Sequence, residues 1–425
     1  MRAPVLKLPP GIYIPTLYFV EGLPYTIVTM MSVVWFKNFG VDNGFIGVAT
    51  SLLAFPWMLK LFWAPLIDTF GTRRAWILIL HVVLAILSVC LAVTSFLPSA
   101  ATMVVSIFAV MAFASATQDV AIDGYYMDVL NGEQQALFVG FRNAAYKVAW
   151  LTGSGGLVYM AGAIAEKYGI PAGWSASFGV CALLFFVAAC FHSVALPRPT
   201  EPHASVESEA PARILVKQFG QVFRTFFTQD GALVIVLYIL TFRLGDALML
   251  KMTQPFLLDP PSVGGLGIST EALGIIYGTV GMIFLLLGGI AGSLMVARFS
   301  LKKCLMPAAI FQSLAILLYW ALAVFKPSLP MVACVNAAEQ FTYGLGSAAY
   351  TVYLLSTVKP EYKASHYAIA TGLMALGLQV PGLISGYLTK LGYPAFFMIS
   401  FVASIPGIVT IAFLPFKESG AGTDK

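Results

Sequence analysis

Asp119 and Asp123 stand four residues apart in the stretch Ala116-Thr-Gln-Asp-Val-Ala-Ile-Asp123, so on a helix they share one face. Gln118 adds an amide beside the first acid. Both lie inside a long apolar segment, where a charge costs a few kcal/mol or more unless it faces a partner or water. Glu21, Asp246 and Glu339 are three more acids in apolar surroundings, and Lys60, Arg142, Lys147, Arg243 and Lys251 are bases in the same position. Acids and bases balance, as expected where each buried charge needs a partner. The chemistry on offer is the holding of protons and of a mixed-charge solute. Bond-making is not indicated: the chain has neither a metal-ligand histidine cluster nor a GxSxG nucleophile elbow. An enzyme or a receptor is therefore not expected, nor is a metal or any other cofactor.

These residues need elements that cross a membrane. The chain is 59% hydrophobic and only 10% charged, against about 25% charged residues in soluble domains. Each crossing needs about 20 apolar residues. The pattern predicts twelve spans: 12–36, 44–67, 75–97, 101–129, 134–165, 173–196, 231–258, 270–298, 303–325, 329–357, 362–390 and 394–416. Met1 to Gly11 lacks the pattern of a cleavable signal. The five cysteines fall in apolar segments without metal-ligand spacing and read as buried free thiols. Basic residues are scattered at loop ends, which argues against nucleic acid. Most lie on one side, and the other side carries only Lys37, Lys167, Lys326 and Lys390. This places both termini and the central loop in the cytoplasm.

The longest polar segment divides the spans into six and six. The expected domains are 1–196, a linker 197–230 with an amphipathic surface helix at about 211–228, and 231–425. A weak repeat supports the division. Ala64-Pro-Leu-Ile-Asp-Thr-Phe-Gly-Thr-Arg-Arg and Gly292-Ser-Leu-Met-Val-Ala-Arg-Phe-Ser-Leu-Lys occupy matching places, as do Gly132-Glu133 and Pro360-Glu361. Two similar six-span halves indicate an all-α membrane protein of major facilitator fold, with twelve transmembrane helices in two bundles related by pseudo-symmetry. In that fold spans 1, 4, 7 and 10 line the central cavity, and these spans carry all five buried acids.

Depth along the helices suggests pairs. Spans 4 and 5 turn near Asn131-Gly132, with Asp123 about eight residues before and Arg142 about ten after, hence at similar depth at about 1.5 Å per residue. The same count sets Asp119 against Lys147. Arg243 and Asp246 are three apart and can pair along span 7, with Gly245 permitting close approach or a bend. Asp119, Asp246, Glu339 and Glu21 are the candidates for proton coupling, since a carboxyl in a cavity changes its proton affinity as water and cations come and go. Lys147, Arg243 and Lys251 suit anionic groups of a solute, with Gln118, Tyr125 and Gln340 beside them. Asp123 with Arg142 reads equally as a structural clamp or a transport element. Asp68, Arg73 and Arg74 read as a gate and topology signal. Lys60 reads as snorkelling to headgroups rather than as a site residue. His366 reads as a structural hydrogen-bonder, and His81 and His192 are isolated in sequence.

Several stretches resemble the AmpG-type muropeptide permeases, a major facilitator family grouped with acetyl-coenzyme A transporters and similar to some siderophore permeases. They are Lys60-Leu-Phe-Trp-Ala-Pro-Leu-Ile-Asp68 with Gly71-Thr-Arg-Arg-Ala-Trp76, Ala116 to Asp123, and Tyr146-Lys147 with Gly153-Ser-Gly-Gly156. Arg243-Leu-Gly-Asp-Ala247 and Ala338-Glu-Gln with Gly344 and Gly346 complete the set. Lys147 stands where the family pattern usually has Arg, Arg243 where it often has Lys, and Thr72 where it has a base. The resemblance implies a monomeric, proton-driven importer in a bacterial inner membrane. Its substrate would be a small molecule, a muropeptide such as N-acetylglucosaminyl-anhydro-N-acetylmuramic acid with its peptide. A siderophore or an acyl-coenzyme A carried by the same mechanism is the alternative.

Overall fold

The computed structural model describes residues 8–97, 101–198, 221–359 and 363–416. All twelve expected spans are helical among them. Span 1 runs Pro10–Thr26, a π-helical turn Ile27–Met31, then Ser32–Asn38. Span 2 is in pieces, Asn43–Leu52, Phe55–Leu59, a 3-10 turn Lys60–Phe62, and Ala64–Thr69. Spans 3 and 4 are unbroken, Arg73–Thr94 and Ala101–Val129. Span 5 is Gly132–Leu151, a π-helical Thr152–Leu157 and Val158–Tyr168; span 6 is Ile170–Ala195. Span 7 comprises Ala232–Thr241 and Leu244–Leu258. Span 8 comprises Thr270–Leu273, a π-helical Gly274–Gly281 and Met282–Phe299. Spans 9 and 10 are Leu301–Phe325 and Leu329–Ser356. Span 11 is Lys363–Gln379 followed by Gly382–Leu388, and span 12 is Tyr393–Ile411.

Ten helices among the described residues are long and apolar enough to cross a membrane. Spans 2 and 10 are not among them. Span 2 is broken, with Asn43–Leu59 its apolar part, and span 10, the unbroken Leu329–Ser356, is less apolar because it carries Asn336, Glu339 and Gln340. Span 3 shows how such a helix is placed. Ile79, Val82, Ile86, Val89 and Val93 are exposed on one stripe, while Ile77, Leu80, Leu84, Ser88 and Leu91 are buried on the other. The exposed face is thus apolar, as lipid requires, and the packed face admits polar atoms. Helix starts carry their own caps. Asn131 and Gln134 form a reciprocal capping box at span 5. Thr72 accepts a hydrogen bond from the Ala75 N–H at span 3, which accounts for a hydroxyl in a basic run.

The chain forms two compact units. The first holds the described residues of Met1–Ser208 together with Gln254–Thr279. Within it, span 5 and the start of span 8 meet backbone to backbone. A Cβ on Gly278 would lie 2.0 Å from the Ser154 carbonyl oxygen, and one on Gly162 would lie 2.2 Å from the Glu271 nitrogen, so only glycine fits. Beside this seam, Lys37 Nζ stands 2.5 Å from Asp259 Oδ1 and donates to Asn43 Oδ1 at 2.8 Å. Asn38 Oδ1 accepts from Trp174 and Thr270. The second unit holds the described residues of Glu209–Thr253 and Val280–Lys425, around a core that includes Tyr238, Phe242, Tyr350 and Tyr353.

Of the expected amphipathic helix, only the end lies within the described residues. Residues 221–227 are helical, with Phe226 buried in the second unit's core and Phe223 and Phe227 exposed. The rest of that expectation, and the loop bases Arg2, Lys7, Arg213, Lys217, Lys417 and Lys425, lie outside them.

Candidate functional site

In the first unit the acids of span 4 each meet a cation. Lys60 Nζ lies 2.6 Å from Asp119 Oδ2. This corrects two expectations. Lys60 is not spent on headgroups, and Asp119 is not paired with Lys147, whose ammonium lies 4.9 Å above the Trp150 ring. Counting residues from a turn fixes height but not the direction a side chain takes around its helix. The 3-10 turn at Lys60–Phe62 presents the lysine to span 4. Glu21, on span 1, sits within side-chain hydrogen-bond reach of Asp119 and is 6% exposed. Its Oε2 is buried with no hydrogen-bond partner among the described residues.

One turn on, Asp123 Oδ1 accepts from the Tyr18 hydroxyl at 2.8 Å and lies 3.4 Å from the Arg142 guanidinium. That guanidinium stands 4.5 Å above the Tyr18 ring and 5.2 Å from the Tyr126 ring. The depth count for Asp123 and Arg142 therefore matches the geometry. Gln118 is buried and donates to the Val20 carbonyl at 3.2 Å, which ties span 4 to span 1. Tyr125 is corrected as a solute-contact residue. It is fully buried and donates to the Pro197 carbonyl at 2.8 Å. Two residues past Asp123 on a helix turn the side chain to the opposite face.

Arg73 lies 2.5 Å from Asp128 Oδ1 and donates to the Gly124 carbonyl at 3.1 Å. A Cβ on Gly124 would stand 2.5 Å from the Arg73 Nε. Arg74 donates to the carbonyls of Leu196, at 3.1 Å, and of Ser193. The side chain of Asp68 lies outside the described residues.

The second unit uses a different set. Arg243 donates to the Tyr343 hydroxyl at 2.7 Å and to Ser347 Oγ at 2.8 Å. It lies 5.1 Å from the Tyr343 ring centre and 5.3 Å from that of Tyr350. Asp246, 3% exposed, accepts from the Gln312 amide. The expected pairing of Arg243 with Asp246 along span 7 is not what the geometry gives. The helix is interrupted at Phe242 and Arg243, just before it restarts at Leu244. The Ala247 N–H still bonds the Arg243 carbonyl, so the spacing to Asp246 stays helical, and it is the donation to Tyr343 and Ser347 that takes the guanidinium elsewhere. Gly245 allows the restart to press on span 12, for its Cβ would stand 2.5 Å from the Ser400 carbonyl oxygen. Glu339, 2% exposed, accepts from Gln340 Nε2 at 2.9 Å. A Cβ on Gly346 would stand 1.8 Å from Gln312 Oε1, so this glycine makes the space that Gln312 fills. Lys251 is half-buried further along span 7.

Gln312 and the contact between His81 and His192 escaped the sequence reading. Gln312 is a lone amide in apolar span 9, and its isolation was the available signal. His81 Nε2 and His192 Nδ1 are 2.9 Å apart, and His192 Nε2 lies 3.0 Å from Thr16 Oγ1, a buried chain joining spans 3, 6 and 1. Neither histidine predicts the other from spacing. His366 is the structural hydrogen-bonder expected, held by Thr225 Oγ1 at 3.0 Å and facing Phe226.

The pattern of the Major Facilitator Superfamily matches residues 16–377. An Escherichia coli protein named anhydromuropeptide permease is 25% identical over 96% of this chain and 80% of its own length. An uncharacterised Haemophilus influenzae protein is 27% identical over 95% of this chain and 94% of its own. Among solved structures, a D-xylose–proton symporter superposes with a TM-score of 0.70 at 14% identity, covering 94% of this chain and 95% of its own. The nucleoside transporter NupG gives 0.70 at 14% identity, over 96% of this chain and all of its own. The named relative and the solved neighbours are permeases and transporters rather than enzymes, and the fold is theirs.

Proposed function

The chain belongs to the major facilitator superfamily, and from that premise we propose that it imports muropeptides into the cytoplasm by proton-coupled alternating access. The observation that carries this reading is similarity along nearly the whole chain to the anhydromuropeptide permease of Escherichia coli. The intramembrane side chains support it. A muropeptide with its peptide carries carboxylates and an amine, and each unit offers acids and bases to such a solute. Arg243 presents a fork already held by two hydroxyls, and Lys147 and Lys251 are further cations for anionic groups. Glu21, Asp119, Asp246 and Glu339 are the carboxyls through which a proton gradient acts. Under this reading the protein is a monomer of two six-span halves in a bacterial inner membrane, with both termini in the cytoplasm.

The test is uptake of a radiolabelled anhydromuropeptide into cells expressing the chain, with and without an uncoupler. Uptake that collapses with the proton gradient is expected. Uptake of a siderophore or an acyl-coenzyme A in preference would replace the substrate, and uptake indifferent to the uncoupler would remove the proton.

A further inference from the structure

Span 2 departs from regular helix beside the unbroken spans 3 and 4. After Phe55–Leu59 it tightens to the 3-10 turn Lys60–Phe62, breaks at Trp63, and resumes as Ala64–Thr69. Pro56 and Pro65 open two of the pieces and supply no N–H to the ladder. Irregular backbone at membrane depth must be held by protein around it. Here span 4 does the holding. Lys60 reaches Asp119, and Trp63 Nε1 donates to Thr117 Oγ1 at 3.1 Å. Beyond the broken segment Gly71 turns the chain at φ +77°, and Arg73 rejoins span 4 at Gly124 and Asp128.

Of these holds, the one at Lys60 faces a group that can take up a proton next to a second such group. Glu21 from span 1 and Asp119 from span 4 set two carboxyls against one ammonium. The other ionisable groups around them are Asp123, engaged by Arg142 of span 5 and Tyr18 of span 1, and Tyr146 of span 5. With both carboxyls ionised the trio carries one negative charge, and one bound proton makes it neutral. A buried group tolerates the neutral state more readily. Each added proton weakens the pull on Lys60.

We propose that Lys60 is a positioning residue that converts the charge of the Glu21–Asp119 pair into the placement of residues 60–69. With the pair deprotonated, the ammonium anchors the broken half of span 2 on span 4. As the pair takes up protons the anchor loosens and the segment is freed to move. This rests on the proton-coupling reading above for its use in transport, but the anchor itself needs neither substrate nor gradient.

Hydrogen–deuterium exchange of the full chain in lipid nanodiscs tests the anchor directly. Near neutral pH the amides of residues 60–69 should exchange roughly tenfold faster in Lys60→Met than in the unaltered protein, with Lys60→Arg restoring protection. Asp119→Asn tests the same anchor from the other side. The ratio of variant to unaltered protein, taken at each pH, should fall toward one as the pH drops through about 4, the range in which carboxyls ordinarily take up protons. Peptides of span 3 and span 12 report any general loss of structure. Equal exchange near neutrality overturns the proposal. So does a gap that persists unchanged in acid, which is what a merely structural lysine would give. Because the measurement uses no solute, a failed muropeptide uptake assay leaves this result standing. An anchor that responds to pH alongside uptake indifferent to an uncoupler would sink the transport reading alone.

Discussion

The two units answer the same problem, charge inside a membrane, with different partners. In the first, acids meet cations: Asp119 with Lys60 and Asp123 with Arg142. In the second, acids meet amides, Asp246 with Gln312 and Glu339 with Gln340, while Arg243 meets hydroxyls. An amide satisfies a hydrogen bond but cancels no charge. An ion pair does both, and it strands one member when the other is lost. The first unit is therefore a set of interlocked charges, and the second a set of individually hydrogen-bonded ones. Neutralising an acid should damage structure as well as transport in the first unit, and transport alone in the second.

The largest effect expected is that of Asp246→Asn. The amide keeps an acceptor for Gln312, so the protein should reach the membrane in normal amount. Proton-driven uptake of the muropeptide should drop to background, because the side chain no longer takes up a proton. Surface quantification alongside the uptake assay separates the two. Normal uptake would remove Asp246 from the coupling set and weaken the contrast between the units.

Next comes the Lys60–Asp119 pair, where the first unit should show its interlock. Asp119→Asn leaves the ammonium without its carboxylate. The double variant with Lys60→Met should recover part of the lost thermal stability. A double-mutant cycle should give a coupling of about 0.5–3 kcal/mol, reduced toward the lower end by the partial exposure of both side chains. The same cycle on Asp246 and Gln312 should give less. Equal couplings would mean that the charge on the partner does not matter.

Gly346→Ala tests the second unit's amide from behind. A Cβ there collides with Gln312, so either the span shifts or the amide leaves Asp246. A loss of about 1–3 kcal/mol in thermal stability is expected from overpacking. Gly140, whose Cβ would meet nothing within 4 Å, serves as the control site for an alanine.

How much of this could be read from the chain depends on what a helix conveys. The spans are legible because each is a run of apolar residues of bilayer length, and the intramembrane charges stand out against it. Height is legible too, since residues advance by about 1.5 Å each along a helix. Direction around the axis is not, and that is why Asp123 and Arg142 meet as counted while Asp119 turns to Lys60. Breaks are only half legible. Pro56 and Pro65 mark span 2, but nothing in Phe242-Arg243 announces the interruption between Thr241 and Leu244. Contacts such as His81 with His192 depend on packing of distant spans and have no local signal at all.

In one respect the units should respond alike. Arg142 and Arg243 each lie over two tyrosine rings, at 4.5 and 5.2 Å in the first case and 5.1 and 5.3 Å in the second. A lysine in either place keeps the charge but loses the flat guanidinium that stacks on the rings. At position 142 it can still reach Asp123, and at 243 an ammonium can still donate to a hydroxyl. Arg142→Lys and Arg243→Lys should therefore each cost about 0.5–1 kcal/mol of stability, the value of the ring contacts at partly exposed sites. Uptake should stay within a few-fold of the unaltered protein. Thermal melting of the two purified variants side by side decides the matter. A much larger loss at 243 would mean that the fork held by Tyr343 and Ser347, rather than the rings, fixes that arginine. The second unit would then depend on the geometry of its donors where the first depends on charge.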